Sequence, residues 1–188
     1  ASEAMGHISS RILEAAKTTP KLSQHLTRNL LIETGNQAAM RRLGDVNIRM
    51  ELVFSNKHAI GSVEVELGAG ILDAPRNIID NVAVLHARYK IPLPQISSVI
   101  VSLALPNQRT EYWQVIKDIK DVLGVRVGSI TLTALIIILW SGNRLAFHDD
   151  DFPYTDSDSY SIRNFIQEKI GRLLQLNLGD YGVAETSK

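Results

Sequence analysis

Residues 47–67 read NIRMELVFSNKHAIGSVEVEL. Ile48, Met50, Leu52 and Phe54 alternate with Asn47, Arg49, Glu51 and Val53, which is the period-two spacing of a strand with one buried face. Ser55-Asn56-Lys57-His58 has turn chemistry. From Ile60 to Leu67 the alternation resumes, with Val63, Val65 and Leu67 on one side and Ser62, Glu64 and Glu66 on the other. The stretch therefore predicts a β-hairpin with one apolar and one acidic face. A turn centred on Asn56-Lys57 sets Glu51 opposite Ser62, Arg49 opposite Glu64 and Asn47 opposite Glu66. A register two residues away brings a further acid, Glu51 or Asp45, towards Glu64. Glu51, inside the strand, is the favoured one, with Asp45 beside Gly44 close behind.

Working outward, residues 9–17 and 21–33 read as helices, and residues 37–43 as a short helical piece after the Gly35-Asn36 break. After the hairpin comes a glycine corner, Gly68-Ala69-Gly70. A helix capped by Asp73 then runs to Lys90, with Ile78, Val82, Leu85 and Tyr89 inward. Residues 96–105 form an apolar interior strand. Residues 109–123 form a helix with Tyr112, Val115, Ile116, Ile119 and Leu123 inward. Residues 130–140 (ITLTALIIILW) read as a central strand covered on both faces. An acidic loop over 148–158 precedes a last helix, about 159–176. Strand–helix–strand units need crossovers, so the expected fold is α/β, a mixed central sheet flanked by helices. The whole of 1–188 is expected to be one domain, with a core at about 45–140 and N-terminal helices in 9–43.

Composition narrows the function. The 188 residues are 45% hydrophobic and 21% charged, as in ordinary globular proteins. Twenty basic residues balance 20 acidic ones, which argues against a uniformly basic nucleic-acid binder but leaves room for a local basic cleft. With no cysteine, disulfides, thiolate catalysis and Cys-ligated metals are excluded. No apolar run approaches the ~20 residues of a membrane span, and the first residues lack a signal-peptide pattern. A cytoplasmic protein is the expectation.

Glu64-Val65-Glu66 carries the chemistry. On a strand, residues i and i+2 share a face about 7 Å apart, so two like charges repel with no local compensation. A divalent cation would compensate them. Mg²⁺ is held by one or two carboxylates with waters and phosphate oxygens, and it promotes phosphodiester hydrolysis. An E-x-E on a strand is common and is in most cases a solvated edge, so its context is what points to a metal site.

From Gly61 the chain reads SVEVELGAG, then a helix (DAPRNIIDNVAVLHARYK), a strand (ISSVIVSLALP) and a helix (RTEYWQVIKDI). This succession resembles type II restriction endonucleases of the PD-(D/E)xK fold, particularly the BamHI/BglII-like group. The matching residues are Glu64, Glu66, Gly68 and the run Val99 to Pro106, and the likeness covers about residues 45–140. The resemblance implies a Mg²⁺-dependent, sequence-specific double-stranded DNA endonuclease of a prokaryotic restriction system. It implies Glu64 as a metal ligand and Glu66 as the residue that orients or deprotonates the attacking water. The upstream acid, normally an aspartate, would be Glu51 or Asp45. Glu33 stands where some members keep a further acid. The resemblance also implies a homodimer, with the helices near 73–90 or 109–123 as candidate interface, and a partner DNA methyltransferase acting on the same sequence. Arg41, Arg42, Arg49 and Lys57 are the candidate DNA contacts, and the Ser141–Arg144 turn is another.

Other motifs are weaker. His148-Asp149-Asp150-Asp151 does not match an EF-hand. The histidines lack zinc-ligand spacing, and no nucleotide-binding or serine-hydrolase motif occurs. Trp113 and Trp140 read as core. Three alternatives stay open: a junction resolvase or repair nuclease on the same fold, a DNA-binding or regulatory protein on a degenerate nuclease fold, and a two-carboxylate glycosidase.

Overall fold

The fold comes from a computed structural model, which describes residues 2–40, 50–107, 109–140 and 142. In order the elements are α1 (Ser2–Thr18), α2 (Pro20–Glu33), β1 (Gln37–Met40), β2 (Leu52–Ser55), β3 (Ile60–Glu66), α3 (Ala74–Ala87), β4 (Ser97–Ser102), α4 (Glu111–Leu123), β5 (Arg126–Thr131) and α5 (Leu132–Trp140). Among the described residues, the strands form one five-stranded sheet in sequence order. It is antiparallel across β1, β2 and β3 and parallel across β3, β4 and β5. The parallel pairs require crossovers, which α3 and α4 provide. The expected mixed sheet flanked by helices is the observed architecture.

Side-chain alternation sorts the two faces. Leu52, Phe54, Val63, Val99, Val101 and Ile130 pack with Leu30 and Leu31 of α2 and with α5 in one apolar cluster. Ile96, Ile100 and Val127 point the other way and pack against Ile78, Val82 and Leu85 of α3 and Tyr112, Ile116 and Ile119 of α4. β4 lies between two neighbours and under both helix layers, so all six of its residues are buried. Glu64 belongs by parity to the α3 face.

Two segments differ from the sequence reading. Residues 37–40, expected to be helical, form the edge strand β1, half-exposed and held to β2 by the pairs Gln37↔Ser55 to Met40↔Leu52. Nothing in Gln-Ala-Ala-Met favours a strand; the exposed edge of β2 imposes it. The expected strand over 130–140 is divided. Gly124, at φ 67°, closes α4, β5 follows at once, and the chain turns helical at Leu132. Thr131 Oγ1 accepts the Ala134 amide at 3.1 Å, an N-cap contact. An apolar run with no polar side gives no period by which helix and strand can be told apart, and a helix apolar all round is one that is buried. Seven of the nine α5 residues are buried.

Smaller differences follow from position at the ends of elements. Asp73 makes no side-chain cap; it closes a 3₁₀ turn, Ala69–Asp73, that runs directly into α3. Tyr89, beyond the last turn of α3, and Trp140, at the end of α5, are exposed instead of core. Trp113 is half-buried and donates its indole N–H to Pro106 O at 3.2 Å. Residues 47–49 of the expected 47–54 strand, the 148–158 loop and the 159–176 helix lie outside the described residues, while Met50 and Glu51 precede β2 instead of belonging to it.

Candidate functional site

β2 and β3 pair over four residues, from Ser55↔Ile60 to Leu52↔Val63. Their turn is built on Asn56. Its amide donates to Ala59 O at 3.0 Å, and its Oδ1 accepts the amides of His58 and Ala59 at 2.9 Å each. The turn is centred one residue later than the sequence suggested, which shifts the register by two. Val53 faces Ser62, and one further step along the same register puts Glu51 level with Glu64. The chain bends at Glu51, so β2 leaves the sheet there. Among the described residues, Glu64, Val65 and Glu66 then pair with β4 alone, opposite Ile100, Val101 and Ser102.

The fork where β2 departs opens a cleft of about 480 Å³ at the carboxyl end of β3. Glu51, Glu64, Glu66 and Gly68 line it from the sheet side, and Lys17 and Gln24 from the corner between α1 and α2. In sheets with parallel strands this end is the usual place for a ligand. Gln24 Nε2 donates to Glu51 Oε2, tying the upstream acid to α2. Asn77 Nδ2 donates to Glu64 Oε1 at 3.0 Å, and the Gly68 amide donates to Glu66 Oε1 at 2.8 Å. Each of the three carboxylates is therefore held by at least one hydrogen-bond donor.

The electrostatics centre on Glu64. Burial pushes its pKa up from the ordinary value of 4.5, and repulsion from Glu51 and Glu66 adds to that, while hydrogen bonds from Asn77 and Asn81 pull it down. Glu64 thus carries a charge its surroundings only partly accommodate. Among the described residues, Lys17 is the cation lining the cleft, and it is exposed.

The structure brings together Glu51, Glu64 and Glu66 from the candidate residues. Among the described residues, no group of three or more His, Cys, Asp or Glu side chains is close enough to form a ready-made metal cage. Asp45, Arg41, Arg42, Arg49 and Arg144 lie outside the described residues. Glu33 ends α2, exposed and roughly 14 Å along the helix from Gln24 at 1.5 Å per residue. Lys57 is exposed in the hairpin turn, about 20 Å of strand from Glu66.

The sequence reading missed Lys17, Gln24, Asn77 and Asn81. For Asn81 a signal existed. It falls on the inward stripe of α3 between Ile78 and Val82 and is buried, and a polar residue on such a stripe needs a partner. Lys17 and Gln24 reach the cleft only through the packing of α1 and α2, which no local pattern announces. No helix among the described residues is long and apolar enough to cross a membrane. No protein-family model matches the chain, and no curated protein is significantly similar to it.

Proposed function

We propose that the protein is a Mg²⁺-dependent endonuclease that hydrolyses phosphodiester bonds in double-stranded DNA, acting as a type II restriction enzyme. The observation that carries this reading is the meeting of Glu51, Glu64 and Glu66 in one cleft at the fork of β2 and β3. Three carboxylates with one lysine would repel a phosphodiester without a cation between them. The donor set fits a hard divalent ion, which accepts two carboxylates and completes its shell with water. Glu51 and Glu64 would hold it, with Asp45 as a further candidate ligand. When bound, such an ion neutralises charge on the phosphate and makes a coordinated water more acidic.

The chain's own residues supply the rest. Gln24 and Asn77 hold Glu51 and Glu64 in place, as outer-shell partners of ligands do. Glu66 accepts a proton from the attacking water as its oxygen bonds to phosphorus. The opposite P–O bond breaks, and the leaving alkoxide takes a proton from solvent. Lys17 stands where it offers a positive charge to the phosphate. Cutting both strands of a palindrome needs two such sites, so the reading includes a twofold homodimer. The exposed Ile79 on α3 and Val122 on α4 suit those helices to the interface. As a restriction enzyme it would act alongside a DNA methyltransferase of the same specificity, with Arg41, Arg42, Arg49 and Lys57 as candidate phosphate contacts.

The test is incubation of plasmid or phage DNA with the wild type and with Glu64→Ala, each with and without Mg²⁺. Discrete Mg²⁺-dependent fragments that the variant fails to produce support the reading. A smear points to a non-specific nuclease. DNA binding without cleavage under any divalent ion points to a binding protein on this fold.

A further inference from the structure

We infer that the Gly68–Gly70 corner is the positioning element for the Glu66 carboxylate, its first amide fixing one oxygen and its last glycine keeping the space at the other oxygen clear. The catalytic consequence rests on the nuclease reading, while the placement of Glu66 does not.

Two independent features point to it. Gly68 N donates to Glu66 Oε1 at 2.8 Å, a charge-assisted bond closed over two residues. A methyl group on Gly70 would stand 2.8 Å from Glu66 Oε2 and 3.1 Å from its Cδ, and one on Gly68 would stand 3.3 Å from Oε1. Neither glycine is required for its backbone conformation. Gly68 is extended, at φ −120°, and Gly70, in the 3₁₀ turn Ala69–Asp73, is not among the glycines at positive φ. What a side chain would meet at both positions is the carboxylate itself. Because the obstructed atoms are the tip of a flexible side chain, alanine at position 70 displaces Glu66 and leaves the fold intact. Oε1 being held by the amide, Oε2 is the oxygen left to receive the proton of the attacking water, on the side that Gly70 leaves open.

The experiment compares wild type, Gly70→Ala, Glu66→Gln and the double variant, with a crystal structure of Gly70→Ala. Cleavage at saturating DNA falls by about 10²-fold in Gly70→Ala, the scale of a reacting group misplaced by an ångström. DNA half-saturation and Tm stay at wild-type values. Adding Gly70→Ala to Glu66→Gln causes no further loss, because both act through one carboxylate. In the crystal structure Glu66 has left the Gly68 amide. Additive losses, or an unmoved Glu66 in Gly70→Ala, overturn the inference. Should Gly70→Ala not fold, Gly68→Ala, with its smaller intrusion, gives the same readings. A wild type that cuts no DNA sinks the nuclease reading, and the crystal structure still decides where the corner holds Glu66.

Discussion

At the start of β3 a methyl group on Gly61 would sit 1.5 Å from the carbonyl oxygen of Ser97 and 2.7 Å from the ring of Phe54, both fixed atoms of the core. Just past its end, the nearest atoms to a methyl group on Gly70 all belong to the flexible side chain of Glu66. The first glycine lets β3 lie against β4. The second leaves the fold alone and shapes what the end of the strand can hold. The same division runs through the hairpin. Its closed end is tied by the Asn56 turn and by apolar packing, while at its open end β2 departs and leaves three acids with incomplete compensation. Local stability is concentrated at one end and chemical potential at the other.

Substitutions at the two ends should therefore fail in different ways. The largest effect is expected from Glu64→Ala, which should lower Mg²⁺-dependent cleavage by about 10³-fold, the upper range for loss of one group that stabilises a transition state. Its circular dichroism spectrum should match the wild type. If Glu64→Ala unfolds the protein, the open end is structural as well. Gly61→Ala should do the reverse. It should cost about 3 kcal/mol of stability, near the top of the usual range for overpacking, with a Tm lowered by several degrees in a thermal melt. An unchanged melt would mean that β3 and β4 can separate at their start without penalty.

Gln24→Ala should have an intermediate effect. Releasing Glu51 from α2 should raise the Mg²⁺ concentration for half-maximal cleavage by about tenfold, as for other outer-shell partners of a ligand. A titration that matches the wild type would show that Glu51 needs no holding. The smallest effect is a gain in stability. Because the pKa of Glu64 is raised in the fold, the folded protein holds its proton to higher pH than the unfolded chain does, so stability is lost as pH rises above 4.5 and through the raised value. Glu64→Gln removes that loss and keeps an acceptor for Asn77. Its Tm should exceed the wild type at neutral pH, converge with it below pH 4.5, and no longer respond to Mg²⁺, which should stabilise the wild type alone.

Much of this was legible in the order of residues. Period-two alternation announced the hairpin and put Glu64 and Glu66 on one face. The stripes of α3 and α4 and the apolar run of β4 gave the crossovers. What the pattern left open was register. Moving the turn centre by one residue shifts every partner by two, and with it the choice of acid beside Glu64. Lys57, at the hairpin tip in the sequence pattern, stays at the end of the hairpin away from the acids.

By itself the sequence determined which residues face the same way, because the periods of strand and helix follow from backbone geometry and each side chain carries its own cost of burial. Only the tertiary structure decided which of them meet. Residues 37–40 became a strand because β2 had an edge to fill. Residues 132–140, an almost wholly apolar run with no period to tell helix from strand, became a helix where Thr131 caps its first turn and both sheet and helices bury it. Lys17 and Gln24 joined Glu51, Glu64 and Glu66 because α1 and α2 pack over the fork in the sheet. Contacts between segments distant along the chain depend on packing that no short window of sequence contains.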